Sequence, residues 1–475
     1  MQNPMYTGAL TDKNIRAIFP EAGDFIARQL QCGPFTLYAY SIDGLTSGGD
    51  ASEYVFKPIT EHLIAKTMQE LYAFALHGGV YNSVADPCED LDTVALKLVN
   101  GFCVVLFPEV GAVAYEVKTG EKRGLSAPQT ENTIKGPKDA FVETVRSNTS
   151  LIRRHIRSPK LRLWETRVGK QSLTNVSVVW MEGITRPDLV NRMKKRLESM
   201  EVDALLSPAA VEEYVTGPRK TAFPLLQYTE RTDTFCRGVL DGRVGLLVDG
   251  LPVGYLAPVD IGYMMTSAED YGRDFISASA VRVLRYVALL ISLFLPGLFI
   301  ALTVHHPQLM PQALHGIVAQ SRANIPVSTI WEVLGILVAF ELLQESGIHL
   351  PQSIGQSVSI IGGIVVGTAG AEAGLISSVA LIMVSVAGVC GFVLPNRDFA
   401  TAIRVWRFLL ALLCAAGGFV GLAIGLAVLL WHLGHLRSLG VSYLVPFEPG
   451  LLRKRMMAKR RKYHCANCTE PDQEL

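Results

Sequence analysis

The sequence predicts an α/β soluble N-terminal region of two similar mixed-sheet subdomains, followed by an all-α polytopic membrane domain. The first observation behind this is a change of expected solvent. From Tyr286 to Gly434 the chain turns apolar, with uncharged runs such as YVALLISLFLPGLFIALTV at 286–304. A hydrocarbon core about 30 Å thick takes about 20 apolar residues as helix. Backbone groups in lipid must bond one another, so such runs read as helices. The second observation is a divergent repeat in the first 280 residues.

The repeat shows in two paired segments. FTLYAYSIDGLT and VSVVWMEGIT are apolar strands running into Asp43-Gly44 and Glu182-Gly183. Each precedes a helical stretch, YVFKPITEHLIAKTM or PDLVNRMKKRLESM. Further on, LVNGFCVVLFPEVGAVAYEV and VLDGRVGLLVDGLPVGYLAP open on Asn-Gly or Asp-Gly and break at a short turn, the pattern of a β-hairpin. Strand, helix and hairpin in each half suggest two small α/β subdomains.

Between them, Phe141, Val145, Thr149, Ile152 and Ile156 recur at helical spacing. The opposite face carries Arg146, Arg153, Arg154 and Arg157, read as a solvated basic face or as a contact for anionic lipid or a partner. The expected boundaries are 1–135 for subdomain 1, 136–165 for the connecting helix and 166–280 for subdomain 2. The membrane domain follows at 281–440 and a basic tail at 441–475.

In the membrane half, 286–304 is the first span, 353–394 divides in two at AEAG (Ala371–Gly374), and 406–433 is the last. The segment 330–347 carries Glu332, Glu341 and Glu345. Charges that dense are costly in lipid, so it reads as interfacial, re-entrant or bundle-buried. The tail RKRMMAKRRK favours a cytoplasmic C-terminus, and an even number of spans returns it to the side of the N-terminal module. Arg397, Arg404 and Arg407 conflict with that scheme by flanking the outer face.

Composition fits a protein half in a membrane: mean hydropathy is +0.28 and only 18% of the 475 residues are charged. A net charge of +1 offers no general attraction for nucleic acid. The N-terminus lacks the apolar segment of a signal peptide, which predicts a cytoplasmic module. Cys465 and Cys468 form a lone CxxC behind His464; a closed zinc site needs four ligands, so two reduced cysteines is the reading preferred. No phosphate loop, HExxH or GxSxG occurs, and no catalytic residue, metal or cofactor is predicted.

Small residues recur four apart at Gly363 and Gly367, Gly370 and Gly374, and Gly417, Gly421 and Gly425, a spacing that allows close helix packing. Glu372 is a candidate pathway or gating carboxylate, with a solvated turn as the alternative. Glu341 joins it, and Pro296 is a candidate hinge. His305, His306 and His315 read as polar boundary residues ahead of a pH or metal site.

Five segments together resemble the spore germination receptor A-subunit family. They are GPKDAFVETVRSNTSLIRRHIRSPKL, RTDTFCRGVLDGRVGLLVDG, SAEDYGRDF with the first span, PQSIGQSVSIIGGIVVGTAGAEAGL, and HLRSLGVSYLVPF. The resemblance covers roughly residues 130–450 and implies a multi-pass protein of the spore inner membrane. It implies a permease-like B subunit and a lipoprotein C subunit as partners, homo-oligomerisation, and an ion path opened when nutrient is sensed. Relatives encoded with dipicolinic acid channel proteins imply an accessory role instead. A transporter should show paired broken helices in an inverted repeat, and only one clear break is seen.

Overall fold

The computed structural model describes residues 5–82, 84–119, 128, 131, 136–205, 207–217, 221–349 and 369–444. It divides into two compact units, Met1–Arg219 with Leu225–Pro258, and Lys220–Pro224 with Val259–Leu475.

The first unit contains two five-stranded sheets. Strands β1 (Phe25–Cys32), β2 (Phe35–Ile42), β3 (Ala85–Cys88), β4 (Phe102–Phe107) and β5 (Gly111–Glu116) lie in the order β1-β2-β4-β5-β3. Strands β6 (Leu161–Val168), β7 (Thr174–Met181), β8 (Gln227–Thr229), β9 (Val244–Val248) and β10 (Gly254–Ala257) repeat that order as β6-β7-β9-β10-β8. Every pairing in both sheets is antiparallel.

The helices of seven or more residues in this unit are α1 (Asp12–Ile18), α2 (Met68–Leu76), α3 (Leu91–Val99), α4 (Val145–His155), α5 (Pro187–Glu198), α6 (Pro208–Thr216) and α7 (Thr232–Leu240). Strand alternation divides the first core. Val104 and Leu106 pack with α1 and α3, while Cys103, Val105 and Phe107 face α2. Helices cover both faces, which is why β4 and β9 are buried at every position and read as continuous apolar runs.

The four repeat-marking glycines share one conformation. Gly44, Gly183, Gly101 and Gly242 have φ of 81°, 79°, 83° and 89°. That left-handed region is open to glycine and penalised for side chains. Asn100 and Asp241 cap α3 and α7, and the glycine after each lets the chain turn into the hairpin.

The helical unit contains α8 (Phe275–Ile300), α9 (Gln312–Arg322), α10 (Thr329–His349), α11 (Ser378–Phe392) and α12 (Arg397–His435). Asp274, Ser377 and Asn396 supply side-chain N-caps to α8, α11 and α12. Phe275–His305 and Arg397–His435 are long and apolar enough to cross a membrane by length and composition.

Helix α12 is two antiparallel arms. Gly418 has φ 56° and ψ −130°, outside helical values. A Cβ on Gly421 would sit 1.9 Å from the Leu413 carbonyl oxygen, and one on Gly425 2.4 Å from Leu410 Cδ2. The single last span expected at 406–433 is therefore corrected to a hairpin with arms at 397–417 and 419–435. Only glycine supports both the turn and the close approach of the arms.

Helix ends can be assigned by their contacts. Val259 N bonds Ser438 Oγ at 3.0 Å and Ile261 N bonds the Tyr443 carbonyl at 3.2 Å, so the segment leading to α8 meets the segment leaving α12. The Phe223 ring lies 5.9 Å from that of Phe399 and 6.1 Å from that of Tyr443, which places the start of α12 at this same end. At the opposite end, His305 meets the hairpin tip, with Nε2 2.9 Å from the Ala415 carbonyl.

Candidate functional site

Three features of the helical unit combine charge or strain with burial. The first lies at the entrance to α8. Ser267 and Asp270 form a capping box on the 3-10 turn Ala268–Tyr271 ahead of α8, which fixes the Asp270 carboxylate. Its Oδ2 accepts from Arg282 Nε at 3.0 Å and from Arg285 Nη1 at 2.8 Å, and all three side chains are buried. Arg285 also donates to the Met265 carbonyl. Arg282 and Arg285 lie three apart on one helix face, so one acid can hold both.

The second feature joins α10 to the first arm of α12. Glu341 accepts from Arg404 Nη1 at 3.0 Å and from Arg407 Nη2 at 2.9 Å. Arg404 also donates to Gln344 and Thr401. The Arg407 side chain is 3% exposed, and its Nε lacks a hydrogen-bond partner. Buried charges need partners of this kind, because desolvation is costly in an apolar surrounding. Lower on α10, buried Glu332 accepts from the Ser377 amide and lies 3.8 Å from Arg322.

The third feature is where α8 ends. Pro296 is buried inside α8, whose last turn passes into a π-helix at Ala301–His305. A Cβ on the neighbouring Gly297 would come 2.9 Å from Cys414 Sγ, so α8 and α12 touch closely here. Gly418 is equally confined, against His305 and His306.

The predicted residues fall into distinct places. Pro296 is buried in α8, whereas Glu341 lies partly exposed between α10 and α12. Glu372 is exposed at the end of the short helix Gly370–Glu372, and Gly374 just beyond it takes φ 65°. Gly421 and Gly425 face the other arm of their own hairpin, and Gly417 has open space before it. Gly363 and Gly367, the basic tail, and Cys465 with Cys468 lie outside the described residues.

The basic face predicted on α4 is corrected in part. Arg153 is turned inward, 1% exposed, and holds Asp24 through Nε at 2.7 Å and Nη2 at 2.9 Å. Arg146 bridges Asp43 and Glu165. Both arginines thus tie one repeat to the other, together with Gly23 N to the Leu163 carbonyl and Arg162 to the Ile18 carbonyl. Arg154 is half-buried and Arg157 is exposed.

A Thr232, His155 and Asp139 group also lies in this unit. His155 Nε2 is 2.5 Å from Asp139 Oδ2 and 3.3 Å from Thr232 Oγ1. One nitrogen serves both neighbours, whereas a nucleophile-activating triad uses the two ring nitrogens separately. Among the described residues, no group of three or more His, Cys, Asp or Glu side chains could hold a metal ion.

Two α/β repeats ahead of an apolar helical unit with buried arginine–carboxylate pairs define a two-part class of protein, one half α/β and the other helical and apolar. Residues 13–464 match the family model described as Bacillus/Clostridium GerA spore germination protein, and the chain belongs to that family. It is 32% identical over 444 residues to the uncharacterized membrane protein YfkQ of Bacillus subtilis (strain 168), covering 92% of this chain and 85% of that one. It is 30% identical to spore germination protein KA of the same organism, over 94% and 84% of the two chains. The N-terminal domain of the A subunit of the Bacillus megaterium spore germinant receptor GerK3 is similar in structure, with a TM-score of 0.40 at 22% identity. That match covers 51% of this chain and 91% of the other.

Proposed function

We propose that this chain is the membrane subunit of a spore germinant-receptor complex, oligomerising to form or gate an ion-release pathway when a partner senses nutrient. The permease-like and lipoprotein subunits are its partners, and the spore inner membrane is its location. Family membership supports the germination role. The observation that carries the gating reading is Glu341, one partly exposed carboxylate held by two arginines of another helix, of which Arg407 is buried. Such a junction has a closed arrangement that a partner can favour or release, and a ligand shifts an equilibrium only by its differential affinity for the two states.

The hairpin in α12 supports a cytoplasmic N-terminal module and tail. Its arms return the chain to the end where α8 begins. Arg397, Arg404 and Arg407 then lie toward the end where the described chain leaves α12 at 436–444, which eases the charge conflict in the sequence reading. Pro296 is a candidate hinge beside that hairpin. Glu372, on an exposed turn, is a candidate at a pathway mouth. Arg154 and Arg157 are candidate contacts between the soluble modules and a partner or lipid.

The test is ion flux across liposomes holding the purified full-length protein, alone and with its permease-like and lipoprotein partners. Flux that requires partners and nutrient, and changes in Glu341→Gln, supports the reading. Stable assembly without flux in any combination favours an accessory scaffold.

A further inference from the structure

Residues 221–224 stand between α6 and β8 in the chain, yet they belong to the helical unit. Phe223 is 1% exposed, and its ring is the centre of an aromatic group. The ring of Phe399 lies 5.9 Å away, Tyr443 6.1 Å, His432 6.2 Å and Trp406 6.4 Å, all within the range of interacting rings. Phe399 and Trp406 are on the first arm of α12, His432 is on the second, and Tyr443 is on the segment that leaves it. One side chain therefore meets both arms at the end away from Gly418.

The mount of this ring is stiff. Thr221 Oγ1 accepts from the Phe223 amide at 3.1 Å and lies 2.8 Å from His432 Nε2, so one hydroxyl shapes the segment and ties it to the second arm. Pro224 has a fixed φ and disfavours helical backbone at the residue before it. Leu225 and Leu226 then donate their amides to buried Glu212 of α6, at 2.6 Å and 3.2 Å, and β8 begins at Gln227. Two residues of chain span at most about 7 Å. A large displacement of Phe223 thus pulls on the bonds to Glu212.

We propose that Phe223 is a positioning residue that couples the α12 hairpin to the α/β repeats. Seated between the arms, it favours the spacing at which both touch it, and a change in that spacing passes along Pro224 to Glu212 and β8. The ring biases the arms only by packing better in one arrangement than in another. This rests on the reading above, in which the helical unit has two arrangements, but needs no ion conduction.

The test is hydrogen–deuterium exchange, read by mass spectrometry on the full-length protein in detergent. Trp406→Ala, a change on α12 alone, should speed exchange several-fold at Leu225, Leu226 and β8 and leave β1–β5 unchanged. Phe223→Ala should speed it at both ends of α12 and at 436–443, and Phe223→Leu, which keeps an apolar side chain, should recover most of that. Thr221→Val, which removes the bond to His432 and keeps the ring, should act in both directions to a smaller degree. Coupling is reciprocal, so both directions must appear. No change at Leu225, Leu226 and β8 in Trp406→Ala, or none in α12 in Phe223→Ala, would overturn the proposal. A general rise that includes β1–β5 would overturn it too, since that is loss of the fold. If Phe223→Ala does not fold, Trp406→Ala and Thr221→Val decide the matter. Absence of ion flux leaves these exchange patterns unaffected, so the two readings fail separately.

Discussion

The rings of Trp406 and His432 lie 5.5 Å apart, although a straight α-helix through both would separate them by about 39 Å. Gly418 makes this approach possible, and Gly421 and Gly425 let the arms touch. The turn is thus written in glycines that a periodicity argument assigns to contacts between helices.

Gly418→Ala should lower the stability of the helical unit by about 1–3 kcal/mol, since a side chain there is strained and meets His305. Gly417→Ala should stay within about 0.5 kcal/mol or stabilise, because space before it is open. Thermal unfolding of the two variants in detergent measures the difference, and equal losses would argue against the hairpin.

Breaking the buried Arg153–Asp24 pair should be severe. Asp24→Ala leaves a guanidinium buried and uncompensated, at a cost of about 3–5 kcal/mol. The double variant Asp24→Leu with Arg153→Met should recover much of that. Urea unfolding followed by limited proteolysis of the full chain reads both. A double variant as unstable as the single would point to lost packing rather than a stranded charge.

Asp270→Asn should destabilise the start of α8 by about 2–5 kcal/mol, because two buried arginines lose their shared charge. Asp270→Glu should recover only part of it, as the capping geometry suits the shorter side chain. Yield of folded protein and its melting temperature are the measurements.

Burial pushes the Glu131 carboxyl up to about 7, with the Thr229 hydroxyl bond at 2.6 Å opposing that rise. A raised folded value means that folding takes up a proton. Its stabilising contribution is therefore complete below the ordinary value of 4.5 and is lost as pH rises through about 7. Between those values the wild type should gain about 1–3 kcal/mol on acidification relative to Glu131→Gln. Parallel stability curves for the two proteins from pH 4.5 to 7.5 would exclude this assignment.

Much of the soluble unit was legible in the chain. The Asn100-Gly101 and Asp241-Gly242 pairs mark hairpins because the turns need left-handed glycine, and local backbone sterics are visible in a sequence. The apolar runs at β2, β4 and β9 are local in the same sense. Arg153 was misread because its helix face is polar by composition, whereas its partner Asp24 comes from the other repeat. Glu341 was singled out as costly in lipid, but the arginines that hold it lie on a helix some 60 positions later.

By itself the sequence determined the hydropathy of each half, the repeat, the turns and the family. These follow from hydropathy, spacing and backbone sterics, all properties of neighbouring residues. Only the tertiary structure decided that α12 folds back at Gly418, that Arg153 and Arg407 are buried, and which carboxylate each one meets. A buried charge is tolerated only with a partner, and partners far apart in the chain are chosen by packing.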